Sequence, residues 1–205
     1  MSKYDVGGSQ IAFQPGSDNQ VLANKLGITD PKDMDDAELE LLEKLYERVL
    51  NQALPKNAVT TLDLKTWHRW WLSPIYEWAG VERSVNMGKG GFEFAAAAQI
   101  PRLLSELNEK VLARYTPCHQ MHDDDLIEAI AVVHVEFILV HPFREGNGRL
   151  SRLLADTMAA QAGYDPLDYA PWDENKKEYF RAIHAGMDCN YAPMMEWVER
   201  AFNAD

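Results

Sequence analysis

Apolar residues recur at helical spacing along most of this chain. From Thr29 to the C-terminus, leucine, valine, methionine and aromatic positions repeat every three or four residues, which is the pattern of amphipathic α-helices. One repeat starts at Leu150 and stops before Gly163, a residue type that commonly ends helices. The segments with this periodicity, the first of them acidic, lie at about 35–51, 103–116, 123–140, 147–162, 173–186 and 193–202. The pattern predicts an all-α fold.

One segment, at about residues 82–95, predicts a small β-hairpin instead. Val85, Phe92 and Phe94 favour strands, and they surround a glycine-rich turn. The sequence just before it, which ends at Gly80, is rich in tryptophan and predicts a helix pair whose indoles pack in the core. These tryptophans are Trp67, Trp70, Trp71 and Trp78.

Length and charge bound the class of protein. With 205 residues, 46% of them hydrophobic, the chain can fill one core. We expect a loose leader over residues 1–28 and a single domain over 29–205. Asp and Glu total 32 against 20 Lys and Arg, and the net charge of −12 argues against broad binding to nucleic acid or to an anionic membrane.

Apolar runs and cysteines point to a cytoplasmic protein. No stretch near the N-terminus is apolar enough for a signal peptide. The longest apolar run, Leu126–Val140, is interrupted by polar residues and is shorter than the ~20 residues of a membrane span. Cys118 and Cys189 are too few for a disulfide framework, so we expect two reduced thiols.

The strongest functional signal is the segment from His141 to Arg152. Two glycines stand between a buried helix and the next helix, so backbone N–H groups and the positive helix end can form an anion site. Arg149 and Arg152 share one helix face, and Asn147 adds an amide donor. Glu145 offers the hard oxygen that Mg²⁺ accepts beside substrate phosphates, and His141 is placed to take a proton from a hydroxyl. Together these groups predict a nucleotide-handling site.

This segment, HPFREGNGRLSR, resembles the signature of the Fic (filamentation-induced-by-cAMP) family, His-Pro-Phe-x-Asp/Glu-Gly-Asn-Gly-Arg-x-x-Arg, and every specified position matches. A second segment, in which Trp78-Ala79-Gly80 precedes Arg83-Ser84-Val85-Asn86 and Gly90-Gly91-Phe92, is similar to the family's flap hairpin. The resemblance predicts a helical Fic core over about 60–203, with the flap over about 82–95 beside the active site.

The resemblance implies transfer of AMP from ATP to a Ser, Thr or Tyr hydroxyl of a target protein, with release of pyrophosphate. His141 would be the general base, Glu145 would hold Mg²⁺ on the α- and β-phosphates, and Phe143 would anchor the loop in the core. The implied nucleotide contacts are Gly146, Asn147 and Gly148 as anion cradle, Arg149 and Arg152 on the β- and γ-phosphates, and Tyr179 as an adenine wall. The flap would align the target by strand addition through Ser84, Val85, Asn86, Gly90, Gly91 and Phe92.

Other functions stay open at this point. The Doc-type branch of the superfamily has a lysine in place of Gly148 and phosphorylates its target, so Gly148 and Arg152 favour AMP transfer. The motif does not exclude UTP or GTP as the nucleotide. A catalytically silent module could bind peptides through the flap, although the intact His141 argues against this. A metal-dependent hydrolase using His134, Glu136 and His141 would lack the His-Glu-x-x-His spacing.

Many family members carry an inhibitory helix with the pattern Ser/Thr-x-x-x-Glu-Gly/Asn, whose glutamate pairs with the second arginine of the motif. The nearest match here, from Ser105 to Glu109, is followed by Lys110 and lies in a predicted core helix. We therefore expect a toxin-like activity that is controlled by a separate, antitoxin-like protein. The alternative is that a glutamate of the acidic helix acts in its place: Glu38, Glu40, Glu43 or Glu47.

Overall fold

Nine α-helices and one two-stranded hairpin form the regular structure of residues 10–89 and 91–202, which the computed structural model describes. The helices are α1 (Pro31–Tyr46), α2 (Thr61–Leu72), α3 (Ile100–Glu106), α4 (Ala113–Tyr115), α5 (Asp123–Val140), α6 (Asn147–Ala162), α7 (Ala170–Glu174), α8 (Lys176–Ala185) and α9 (Ala192–Phe202). The strands are β1 (Gly88–Lys89) and β2 (Phe92–Glu93). π-Helical turns extend α1 over Glu47–Gln52 and join α3 to α4 over Leu107–Leu112, and 3₁₀ turns lie at Ala97–Gln99 and Gly186–Asp188. The predicted all-α class with a small hairpin is confirmed.

Local sequence signals explain where the first two helices begin. Asp30 precedes α1, and its carboxylate accepts hydrogen bonds from the N–H groups of Lys32 and Asp33 at 2.8 and 3.2 Å. Before α2, Thr60 and Asp63 form a capping box: Asp63 N–H donates to Thr60 Oγ1 at 3.2 Å, and Thr60 N–H donates to Asp63 Oδ2 at 2.8 Å. Both starts are therefore specified by a few neighbouring residues.

Helix α5 is the centre of the fold and packs against α6 and α9. Of its 18 residues, 11 are buried, and they lie on every side of the helix. No helix in the described part of the chain is long and apolar enough to span a membrane. Because α5 is enclosed by protein, the residue at its C-terminal end, His141, starts the next loop from a fixed position.

Two predicted helical segments are interrupted in the structure. The tryptophan-rich segment forms α2 followed by tight turns as far as Gly80, and Pro74 cannot continue α2 because it lacks the N–H that the helix would use. The helix expected over 173–186 is broken at Asn175, where φ is −117° and ψ is 41°. Helix α5 spans the predicted residues 123–140, with three acidic residues in its first turn and His122 at the capping position. Trp70 is also partly exposed, unlike the other three tryptophans of its cluster.

The hairpin is shorter than its sequence pattern indicates. Gly88 pairs with Glu93 and Lys89 pairs with Phe92, so two residues of the expected turn belong to β1. A Cβ atom at Gly88 would lie 2.8 Å from the carbonyl oxygen of Phe92, which explains the glycine there. Val85 lies before the paired region, so strand propensity alone overestimates the strand length.

Residues 10–28 of the predicted leader lie against the core. Val21 is buried, and the N–H of Lys25 donates to the carbonyl of Ile75 at 2.8 Å. Residues 1–9 are outside the described part of the chain. The boundary between leader and domain stays a prediction.

Candidate active site

The segment between α5 and α6 is a tight turn with a left-handed residue at each end. His141 has φ 49° and ψ 59°, and Gly146, just before α6, has φ 82°. A Cβ atom at Gly146 would lie 2.6 Å from the ring of Trp71, so both space and backbone conformation require glycine there. The imidazole of His141 and the start of α6 consequently face one cavity.

Asn147 closes this turn from within. Its side-chain oxygen accepts a hydrogen bond from the N–H of Phe143 at 2.9 Å, and its amide donates to the carbonyl of Phe143 at 2.8 Å. The loop thus uses one of the two hydrogens of the Asn147 amide, and the role of this amide as a phosphate donor stays a prediction. The backbone N–H groups of Asn147, Gly148 and Arg149 have no partner within the helix, and these are the anion donors that the turn offers.

The imidazole of His141 is partly enclosed and uncharged. Phe94 of the hairpin stacks on it, with ring centroids 3.7 Å apart and ring planes at 12°. Burial lowers the pKa of His141 to about 4, and the guanidinium of Arg83 acts in the same direction. A hydrogen bond to the backbone of Ile138 raises the pKa of His141, but burial has the larger effect. At neutral pH the ring is therefore neutral and able to accept a proton.

Arg149 lies on the first turn of α6 beside two carboxylates. Its Nη2 is 2.5 Å from an oxygen of Glu38 and 3.3 Å from an oxygen of Glu145, and its guanidinium stacks over Trp71. Glu38 is buried and accepts a hydrogen bond from the hydroxyl of Tyr76 at 2.7 Å. Burial raises the pKa of Glu38, and the charge of Arg149 opposes that rise. The acidic helix thus supplies a counter-ion to the first arginine of the motif.

Arg152, one turn further along α6, pairs with Asp173 of α7. Two hydrogen bonds join them, 3.0 Å from Nη1 to Oδ2 and 2.7 Å from Nη2 to Oδ1. Arg152 holds the pKa of Asp173 below its usual range, so this carboxylate is charged at neutral pH. Asp173, and not a glutamate of the acidic helix, is therefore the carboxylate on the second arginine. Asp173 could not be predicted as a site residue, because no local signal links residues that lie 21 positions apart.

A cavity of about 470 Å³ lies between the α5–α6 turn, the hairpin, α7 and α8. The predicted site residues that line it are His141, Glu145, Gly146, Asn147, Gly148, Arg149, Arg152 and Tyr179. Its other walls include the apolar residues Met87, Phe94, Ile138, Trp172, Phe180 and Ile183 and the basic residues Lys89, Arg144 and Lys176. Cationic groups beside apolar walls suit a ligand that carries both anionic groups and a flat ring.

The hairpin residues that line the cavity differ from those predicted to dock a target. Its lining residues are Met87, Gly88, Lys89 and Phe94, whereas Ser84, Val85, Asn86, Gly91 and Phe92 lie off the cavity, and Gly90 is outside the described residues. Ser84 N–H donates to Gln10 Oε1 at 2.7 Å, and Asn86 accepts a hydrogen bond from the N–H of Ala97 at 2.9 Å. These contacts hold the base of the hairpin, and target docking stays a prediction.

Tyr179 is a core residue with one edge on the cavity. It is 8% exposed, its hydroxyl is 2.8 Å from Nε2 of His134, and its ring stacks on Trp172. The adjacent Phe180 is more exposed and also lines the cavity, with the ammonium group of Lys89 5.6 Å from its ring centroid. Phe180 was not predicted as a site residue, because periodicity alone cannot show which of two neighbouring aromatic residues faces a cavity.

Arg83 was also missed as a site residue. Its buried guanidinium donates hydrogen bonds to the carbonyl oxygens of Val85 at 2.6 Å, Ala95 at 2.5 Å and His141 at 2.6 Å. One side chain thereby ties both arms of the hairpin to the end of α5. A single arginine in a loop shows no local sign of such a role.

Glu145 is the residue expected to hold Mg²⁺, and its position fits that role. Its carboxylate lines the cavity and accepts a hydrogen bond from the N–H of Gly146 at 2.9 Å. Within the described ranges, no three His, Cys, Asp or Glu side chains converge as a metal site, and His134 and Glu136 bind other side chains. A cation on Glu145 would thus need further oxygens from a nucleotide, which Mg²⁺ accepts readily.

The geometry gives no support to a metal-dependent hydrolase that uses His134, Glu136 and His141, because His134 and Glu136 are hydrogen-bonded to other side chains.

Comparison with known proteins identifies the family. The model of the Fic/DOC family matches residues 58–159, which contain the hairpin and the whole motif. This chain belongs to the Fic/DOC family. The probable protein adenylyltransferase y4lH of Sinorhizobium fredii is 26% identical to this Fic protein over 98% of this chain and 99% of that protein. The protein adenylyltransferase VbhT of Bartonella schoenbuchensis is 29% identical over 77% of this chain and 32% of its own length.

Solved structures of Fic domains share the fold. The N-terminal Fic domain of a Bartonella effector protein, from Bartonella sp. AR 15-3, has a TM-score of 0.79 at 23% identity, covering 99% of this chain and 96% of that one. The BepC protein of Bartonella tribocorum, solved with bound AMPPNP, has a TM-score of 0.75 at 25% identity, covering 94% and 96%. The predicted Fic fold is confirmed.

Proposed function

We propose that this Fic protein is a protein adenylyltransferase, which moves AMP from ATP to a Ser, Thr or Tyr hydroxyl of a target protein and releases pyrophosphate. One observation carries the proposal: a neutral imidazole, His141, faces the same cavity as a helix N-terminus with Arg149 and Arg152. The names of y4lH and VbhT and the AMPPNP bound to BepC support the same activity.

The chemistry follows from the distribution of charge in the cavity. Arg149, Arg152 and the first N–H groups of α6 attract the β- and γ-phosphates, after Glu38 and Asp173 give up part of their contacts. His141 Nε2 removes the proton from the target hydroxyl, and the hydroxyl oxygen bonds to the α-phosphorus. The bond from the α-phosphorus to the oxygen bridging it to the β-phosphorus breaks, and pyrophosphate leaves. Catalysis is thus positioning and charge stabilisation.

Mg²⁺ is proposed to bind with the nucleotide through Glu145. A bound Mg²⁺ supplies positive charge that offsets the α- and β-phosphates. The Glu145 carboxylate lines the cavity next to the anion donors of α6, which supports this assignment. ATP is proposed as the nucleotide, with Phe180 and the edge of Tyr179 as apolar walls for its base.

The target is proposed to be a protein that adds an extended segment to the flap. Gly88 and Lys89 of β1 are exposed, and β1 pairs with β2 along one edge. A peptide strand can therefore pair with the other edge of β1, a common mode of peptide docking. The net charge of −12 favours a protein target over nucleic acid and gives no support to membrane binding.

A separate antitoxin-like protein is proposed to inhibit the enzyme through a groove along α1. The groove is lined by Leu39, Leu42, Tyr46, Leu50, Pro166 and Tyr169, and it ends at Arg149 and Arg152. Leu39 is 53% exposed, so the groove offers apolar area to a partner. An amphipathic helix with a carboxylate at its end would cover the groove and compete with phosphate for the two arginines.

We also propose a cytoplasmic location, where ATP is abundant and Cys118 and Cys189 stay reduced.

The activity is tested by incubating the protein with a cell lysate and Mg²⁺ plus ATP labelled at the α- or the γ-phosphate. Adenylyl transfer predicts labelled protein bands with the α-label, and none above background with the γ-label. The control is Glu174→Gln, which changes an exposed residue of α7 and should leave labelling intact. Bands with the γ-label alone would replace the proposal with phosphate transfer.

A further inference from the structure

The second arm of the hairpin carries two aromatic rings, and each stacks on a histidine. Phe94 lies on His141, with centroids 3.7 Å apart and planes at 12°. Phe92, two residues earlier, lies on His184 of α8, with centroids 4.2 Å apart and planes at 21°. The two stacks have the same chemistry, but Phe94 lies on the imidazole that lines the cavity beside the motif arginines.

Backbone and side-chain hydrogen bonds hold Phe94 in register with His141. The N–H of Phe94 donates to the carbonyl of Met87 at 3.0 Å, and the N–H of Ala95 donates to the carbonyl of Leu139, in the last turn of α5, at 3.3 Å. Arg83 binds the carbonyl oxygens of both Ala95 and His141. These hydrogen bonds flank the stack and hold the Phe94 ring and the His141 imidazole in fixed positions relative to each other.

We propose that Phe94 is a positioning residue that fixes the plane of the His141 imidazole and joins the flap to the general base as one unit. Only the description of His141 as a base rests on the proposed function. A target segment added to the flap would then have its hydroxyl placed against Nε2 by the flap itself. Small misplacements of reacting groups cost large factors in rate, so such a connection has a catalytic effect.

The charged groups around His141 make the consequence of uncovering it predictable. Arg83 and Lys89 are cations on the hairpin side, and Glu145 is a carboxylate in the same cavity. Burial is the largest cause of the lowered pKa of His141, ahead of the charge of Arg83. Removing the Phe94 ring exposes the imidazole to water, and the pKa of His141 therefore rises toward its ordinary value.

The first experiment measures the histidine resonances of the whole protein by NMR during a pH titration. Phe94→Leu should move the His141 ring signals downfield, because the ring current of the stacked phenyl is lost, and should raise the titration midpoint of His141. Phe92→Leu should move the signals of His184 and leave those of His141 in place. Phe94→Tyr, which keeps the stacked ring, should behave as the wild type. This readout does not depend on any transfer activity.

The second experiment measures labelling of lysate proteins from α-labelled ATP across pH. For Phe94→Leu we expect kcat about ten- to a hundredfold lower with an unchanged KM for ATP, and an acid limb of the pH profile shifted to higher pH. Phe94→Tyr should keep the wild-type rate.

Two outcomes would overturn the proposal, once thermal unfolding has shown that Phe94→Leu is folded. The first is that Phe94→Leu keeps the wild-type rate and the wild-type acid limb of the pH profile. The second is that Phe92→Leu shifts the His141 signals as much as Phe94→Leu does. A wild type that transfers no AMP would refute the proposed function, while the NMR experiment would still decide on the stack.

Discussion

The two sides of the active-site cavity differ in how tightly they are built. On one side, the α5–α6 turn starts from a buried helix, is closed by the Asn147 amide and leaves no space beside Gly146. On the other side, the hairpin pairs two residues per strand. A Cβ atom at Gly91, in its turn, would meet nothing within 4 Å.

This difference assigns separate tasks to the two sides. Transfer to a phosphorus centre needs donors and a base held in fixed positions, which the enclosed turn provides. Docking of an extended segment needs an accessible strand edge, and the exposed hairpin provides that. Arg83 and Phe94 are two of the contacts through which the two sides meet.

The largest effect should come from removing the base on the enclosed side. His141→Ala should lower AMP transfer by about 10²–10⁴-fold, the usual loss when a general base is removed. ATP binding should stay close to that of the wild type, since the phosphate contacts come from α6. Labelling with α-labelled ATP and calorimetry with ATP measure the two properties. Transfer near the wild-type rate would remove His141 from the role of base.

A pair of glycine substitutions tests the difference in packing directly. Gly146 and Gly91 have nearly the same φ, 82° and 84°, so alanine meets the same backbone strain of about 1–2 kcal/mol at both sites. At Gly146 the new Cβ also meets the Trp71 ring at 2.6 Å, and overpacking adds about 1–3 kcal/mol. We expect Gly146→Ala to lower the free energy of unfolding by more than Gly91→Ala does, measured by urea denaturation. Equal losses would mean that the turn has room to relax.

The enclosed side of the cavity is easier to predict from the sequence than the exposed side, for a physical reason. The turn from His141 to Arg152 is specified by its own glycines and by the helix that follows it, so a local pattern predicts it. The Glu38–Arg149 pair, the Asp173–Arg152 pair and the Phe94–His141 stack depend on how separate elements pack. No pattern of 3.6-residue or two-residue periodicity contains that information.

The same limit applies to Asn147. The residue type shows only that the asparagine side chain carries an amide donor that can bind a phosphate. Whether the amide is free depends on the path of the loop, which brings Phe143 N–H and C=O within 2.9 and 2.8 Å of it. A turn this tight leaves those backbone groups without helical partners, and a buried amide satisfies both.

A smaller effect is expected at Arg152, which tests whether the enclosed side recognises the terminal phosphate. Arg152→Ala should weaken ATP binding by about 1.5–3 kcal/mol, or roughly ten- to a hundredfold, and AMP binding much less. AMP has no γ-phosphate, so the substitution removes no charge-assisted contact between Arg152 and AMP. Calorimetry with both nucleotides in Mg²⁺ measures the difference. Equal losses for ATP and AMP would show that Arg152 does not contact the γ-phosphate.

The smallest effect is expected at Asp173, the carboxylate that now occupies Arg152. Its side chain is 50% exposed, so the pair is worth about 0.2–1 kcal/mol, as is usual for ion pairs in contact with water. A γ-phosphate must weaken this pair before it can bind Arg152. Asp173→Asn should therefore tighten ATP binding by about 1.5- to fivefold and leave AMP binding unchanged. Calorimetry with the two nucleotides is again the measurement.

Glu174→Gln is the matched control for Asp173→Asn, because it removes one negative charge from the same short helix at an exposed position. If the effect at Asp173 were a general change in the field of α7, both variants would tighten ATP binding by similar factors. If Asp173 competes with the γ-phosphate for Arg152, Asp173→Asn alone gains affinity, and the gain disappears when Arg152→Ala is added. Weaker ATP binding in Asp173→Asn would mean the opposite. Asp173 would then orient the Arg152 guanidinium toward the phosphate, and the ion pair would be part of the fixed arrangement of the enclosed side.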